Sequence, residues 1–186
     1  MAYYYLVAQL PYLVYGQQLP LSSQAFRVLC AHALSAGDAA LLGGCSLDPE
    51  KSYTEPPVPT SSRFINEWRA WERTLCLNLA RYRAQKRDNG ASIEPPDSPA
   101  DAALAAKAAF ALESPLEAEL FIDQARWNAI EAMQGLDSFS VNMIYAYLLK
   151  LLLMERRAAF KVEEGFAEYK GLYDAILASA SKGVEK

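Results

Sequence analysis

Residues 63–87 read RFINEWRAWERTLCLNLARYRAQKR. Phe64, Trp68, Trp71, Leu75, Leu79 and Tyr82 recur at steps of four, three, four, four and three. That spacing keeps six large apolar side chains on one side of a 3.6-residue repeat, so the segment is a helix with one buried stripe. At 1.5 Å per residue it makes a rod of roughly 36 Å, enough to cross a small domain. A rod this long with a single apolar stripe needs further helices to cover it.

Upstream, residues 22–35 (SSQAFRVLCAHALS) form a second helix that Ser22 or Ser23 can cap. A serine hydroxyl accepts from the free N–H groups of the first turn. Gly37 and Asp38 end it, and DAALL adds at most one short turn. Residues 43–62 hold Pro49, Pro56, Pro57 and Pro59 and read as a loop, because each proline removes a donor and fixes φ.

Downstream, residues 88–98 (DNGASIEPPDS) join Asn-Gly, Pro-Pro and a change of charge in one linker. An alanine-rich helix follows over 99–113. Residues 114–135 open with Ser114, Pro115 and Glu117, a capping box with proline in its favoured first position. Gly135 is the expected stop. A nearly all-apolar helix then starts at Asp137 or Ser138 and runs to about Phe160. A final helix covers about 162–180, with Phe166, Tyr169, Tyr173, Ile176 and Leu177 on one side.

Strand character is confined to residues 3–8 (YYYLVA). A lone strand lacks a partner for its ladder, so an ordered, extended N-terminal segment laid on helices or on another chain is expected. The fold class that results is all-α: a two-lobed helical bundle with an extended N-terminal segment. Its lobes are residues 1–87 and 99–186, joined by the linker 88–98.

Of the 186 residues, 52% are hydrophobic, which excludes a disordered chain. The net charge of −4 argues against a dedicated nucleic-acid binder. Three cysteines without paired spacing fit a reducing compartment better than a disulfide framework. The first apolar run has no basic residue before Arg27 and is broken by Pro11, so it is a poor secretion signal. The run 141–154 is interrupted by Asn142 and Lys150 and is too short to span a bilayer. The expectation is a soluble, cytoplasmic protein.

Catalytic patterns are missing from the sequence. No Gly-Lys-Ser/Thr follows Gly43-Gly44, so a phosphate-cradling loop is not expected. His32 is the single histidine. It lies roughly 200° around the helix from Cys30, which prevents both from holding one metal ion. Glu119 and Asp123 share a helix face, but acids near a helix start are accounted for by the helix dipole. Neither catalytic residues nor a cofactor nor a metal is therefore expected.

Charge is more informative. Residues 63–87 carry seven of the eighteen basic residues: Arg63, Arg69, Arg73, Arg81, Arg83, Lys86 and Arg87. Residues 88–137 carry ten acids against Lys107 and Arg126. Two readings stay open: a docking stripe for a partner, or two faces that neutralise each other inside one monomer. Trp68 and Trp71 lie on the apolar stripe and read as core.

The opening YYYLVAQLP, the PL of residues 20–21 and FRVLC resemble the start of an uncharacterised bacterial family whose genes lie in V-type ATPase operons. The stretches FIDQARWNAIEAM, FSVNMIYAYLLKLLLMERRAAF and EEGFAEYKGLYDAIL are similar to that family's C-terminal helices. The resemblance implies a non-catalytic, C-subunit-like component of the central stalk, peripheral on the inner face of the cell membrane. Its partners would be the rotor-shaft and membrane-ring subunits. The expected contact residues are the seven cations of 63–87 together with Tyr3, Tyr4 and Tyr5, and the exposed ends of the last two helices. The rival function is a nucleic-acid-binding or adaptor module that uses the arginine-rich helix.

Overall fold

The computed structural model describes residues 3–47, 58–87, 98–160 and 169–173. All regular structure in them is helical: α1 (Tyr4–Ala8), α2 (Ser23–Ala33), α3 (Ala36–Gly43), α4 (Arg63–Lys86), α5 (Ala100–Phe110), α6 (Pro115–Gln134) and α7 (Val141–Ala158). A further short turn of helix covers 169–173. The all-α class expected from the sequence is what the chain adopts. The linker core 88–97, residues 48–57 of the proline loop and most of the expected last helix lie outside the described residues.

Caps set the helix starts. Ser22 Oγ accepts from the Ala25 N–H at 3.2 Å, Ser35 Oγ from Asp38, Ser62 Oγ from Ile65 and Ser114 Oγ from Glu117. Each satisfies one of the donors that a first turn leaves free. α2 gains a second anchor, since the Ser23 N–H and Oγ donate to the two oxygens of Glu155 on α7, both at 2.7 Å. A carboxylate there also complements the positive end of the α2 dipole.

α7 is the central element. Ile144 to Leu149 are consecutively buried, as are Leu151, Leu153 and Met154. A helix enclosed this fully has no polar face to show solvent. α6, α2 and α3 pack against it, and α4 packs on α5 and α6. The helices on either side of the linker thus contribute to one continuous core, in which Phe64, Trp68, Trp71 and Leu75 of α4 join Ile122, Trp127 and Ile130 of α6. Two bonds tie α4 to the region of α5: Trp71 Nε1 donates to Asp101 Oδ2 and Thr74 Oγ1 to the Ser98 carbonyl, each at 2.8 Å.

Three local expectations are corrected; in one, Gly37 and Asp38 do not end a helix but lie inside the eight-residue α3, which Ser35 caps. Residues 3–8 are not extended: Tyr4–Ala8 is a short helix. Tyr3 and Leu6 are buried, with Val7 and Leu10 half-buried beside them, a spacing of three, one and three that belongs to a helix. Within a helix the backbone also finds its own acceptors, as Val7 N–H to Tyr3 O at 3.0 Å, whereas a lone strand would have none. The last correction concerns the start of α7, which comes at Val141. Asp137 Oδ1 accepts from the Phe139 N–H at 3.0 Å, and Ser140 Oγ donates to the Asp137 carbonyl at 2.9 Å. This side-chain turn competes with the helix and holds 137–140 outside it.

Candidate docking surfaces

The cations of α4 divide by position. Arg63 forms an exposed i,i+4 pair with Glu67 at 2.6 Å. Arg69 and Arg73 are half-buried and engaged with neighbours. Arg81, Arg83, Lys86 and Arg87 are exposed, and none of the four makes an ion pair with another described residue. Lys86 Nζ sits 5.8 Å from the centre of the Phe110 ring. The positive surface is therefore concentrated in the last turns of α4, where cations also suit the helix dipole.

The minority charges of the two halves meet in the interior. Arg126, the lone arginine of the acidic stretch, donates through Nε at 3.0 Å and Nη2 at 2.5 Å to both oxygens of Glu72. Its Nη1 reaches Asp123 Oδ1 at 3.0 Å. Arg156 of α7 binds Glu119 at 2.8 Å and approaches Asp123 Oδ1 at 3.8 Å. Three carboxylates thus face two guanidiniums across α4, α6 and α7. Asp123 is fully buried, and its Oδ2 has no hydrogen-bond partner among the described residues. Burial pushes the Asp123 carboxyl above its ordinary value, against the pull of Arg126 and Arg156. Burial opposes the charge of Arg126, but Glu72 and Asp123 together outweigh that desolvation and hold its pKa raised. The two directions agree once Glu72 is recognised as the partner of Arg126 and Asp123 as the surplus acid.

The three N-terminal tyrosines do not share one role. Tyr3 is 7% exposed and its hydroxyl donates to Asp38 Oδ2; it belongs to the core, so it is withdrawn from the expected contact set. Tyr4 and Tyr5 are exposed, Tyr5 at 84%. Tyr4 packs on Phe139 with ring centres 4.7 Å apart, and the Tyr3 N–H donates to the Phe139 carbonyl at 2.8 Å. α1 and the α6–α7 turn therefore lie side by side, with Leu136 of that turn fully exposed. Tyr12 is 88% exposed at the edge of a small cleft that also includes Gln134. Sequence reasoning missed Tyr12, Leu136 and Phe139. Their signal was large apolar side chains placed outside any helical stripe, next to turn-forming residues.

Among the described residues no helix is long and apolar enough to cross a membrane. Cys30 is buried and His32 exposed, so the two face different surroundings. Burial pushes the Cys30 thiol up to about 11 and the Cys45 thiol to about 12, which leaves both as poor nucleophiles.

Residues 106–179 match the family described as a protein of unknown function (DUF2764). The match takes in α6 and α7. No curated protein and no solved structure matches the chain.

Proposed function

We propose that the protein is a non-catalytic, C-subunit-like accessory of the central stalk of a V-type ATPase. In this role it couples the rotor shaft to the membrane ring and resides on the inner face of the membrane through protein contacts. The reading rests first on the resemblance of the opening YYYLVAQLP and of the α6 and α7 sequences to proteins encoded in V-type ATPase operons. One structural observation supports it: the shared core of α4, α6 and α7 leaves two separate surfaces at its margins. One surface is aromatic, with Tyr4, Tyr5 and Phe139. The other is cationic, with Arg81, Arg83, Lys86 and Arg87. A part that transmits force needs a stiff body and at least two places to be held, and close-packed helices provide the stiffness.

The rival nucleic-acid reading has less to work with. Trp68 and Trp71 are buried in the core and are not available to stack on bases. Arg69 and Arg73 are partly covered.

The test is functional. Membrane vesicles from cells lacking this protein should retain ATP hydrolysis but lose most ATP-driven ion uptake, measured with a fluorescent ion or pH probe. Uptake equal to that of the parent strain would refute the coupling role, as would turnover of any small molecule by the purified protein alone.

A further inference from the structure

A groove of about 370 Å³ lies where the end of α4, the end of α5 and the start of α6 converge, and it opens to solvent along one side. Its floor is apolar: Leu79, Ala109 and Ile122 are core residues seen from outside, and the exposed Phe110 and Leu112 also line it. One wall is built by Arg83, Lys86 and Arg87. The other wall carries Glu113 and Glu119. Glu119 is already paired with Arg156 at 2.8 Å. Among the described residues lining the groove, Glu113 is therefore the one acid left against three cations, a local reversal of sign on a chain whose net charge is −4.

We propose that this groove receives an acidic amphipathic helix of a partner protein, with an apolar side chain on Leu79 and Ile122 and carboxylates against Arg83, Lys86 and Arg87. The size suits one or two buried side chains, near the lower end of the roughly 300–1,000 Å³ range of ligand pockets. A helix can offer both chemistries at once, with apolar residues at i and i+3 or i+4 and acids flanking them. The lone-sided distribution of charge selects this occupant over a nucleic acid. A phosphate backbone carries dense negative charge on all sides and would meet Glu113 across the groove. The cations of this wall are spaced along a helix end and make no ion pair with another described residue, so no such pair is given up when a carboxylate arrives.

The groove shares the basic end of α4 with the stalk reading above but does not depend on the identity of the complex. Its test uses a displayed library of helical peptides, each of about 14 residues. The library is selected on the full chain and each hit is measured by fluorescence anisotropy. The comparison protein is the triple variant Arg83→Glu, Lys86→Glu, Arg87→Glu; all three positions are exposed, and its circular dichroism reports folding. A second variant, Glu113→Lys, enlarges the cationic surface. The expected result is a selected pool rich in Glu or Asp beside Leu or Phe. Its affinity should fall by at least about tenfold on the triple variant and rise on Glu113→Lys, with the wild-type affinity weakening as salt is added. The proposal is overturned by a pool without acidic enrichment or by equal affinity for the triple variant. It is likewise overturned if duplex DNA displaces the peptides at matched charge, or if light scattering shows that the groove is filled by a second copy of this chain. A pool without acidic enrichment, with ATPase association intact, would remove the groove and leave the stalk reading standing; acidic-peptide binding without ATPase association would do the opposite.

Discussion

Glu72 and Arg126 show how single residues hold this fold together. Arg126 is nearly enclosed; it turns the Nε–Nη2 edge of its guanidinium to Glu72 and Nη1 to Asp123. Removing the charge of Glu72 leaves a buried cation with only the surplus acid for company. Glu72→Gln is expected to cost about 3 kcal/mol in a urea titration, the scale of breaking a buried pair. A loss below that of an exposed pair would mean that Arg126 reaches water. Asp123 should behave differently. Its carboxyl is raised above 3.8 in the fold, so the folded state favours the protonated form. The stability this gives is full below the ordinary carboxylate pKa and is lost as pH rises through the raised value. Stability measured from pH 3 to 7 should therefore contain a downward contribution that Asp123→Asn abolishes; identical pH profiles for the two proteins would contradict it. Neither role was legible in the sequence. The charge counts of the two halves pointed outward to docking, or to mutual neutralisation of whole faces. What the fold does is finer: it buries Glu72 and Arg126, one minority charge from each stretch, together with Asp123, and leaves Lys107 exposed. No spacing rule reveals a pair separated by 54 positions in the chain.

At the scale of elements, local rules served well wherever one helix carried both cap and stripe. α4 and α6 start behind Ser62 and Ser114, and the apolar stripe of α4 is the buried one. α1 failed for a reason visible afterwards. Its aromatic, β-branched composition suggested a strand, while the positions that matter, Tyr3, Leu6, Val7 and Leu10, have helical spacing. A six-residue window is too short for period to outweigh propensity. The start of α7 was lost to the Asp137 side-chain turn, a competition that composition alone does not rank. The end of α6 gives a clean test. Gly135 has φ +77° and ψ −172°, and a Cβ there would meet nothing within 4 Å. Gly135→Ala should thus cost about 1–3 kcal/mol through backbone strain alone, since only glycine occupies that region readily. Thermal unfolding of the variant would measure it, and an unchanged midpoint would show that the turn rearranges without penalty.

Across the whole molecule, the all-α class followed from one periodic segment and a shortage of strand-forming sequence. The candidate surfaces were only half visible. The cations of 63–87 could be counted, but which four are exposed without an ion pair to another described residue required knowing what α5 and α6 cover. The aromatic surface needed the fold still more, because α1 and the α6–α7 turn are more than 120 residues apart in the chain. The central claim is that these helices serve a rotary ATPase as a body to be gripped. Tagging the protein at its natural expression level, solubilising the membranes gently and identifying the co-purifying subunits tests it most directly. Rotor-shaft and membrane-ring subunits should be recovered in amounts comparable to the bait, with or without nuclease treatment. A bait recovered alone, or only with nucleic acid that nuclease removes, would contradict the claim.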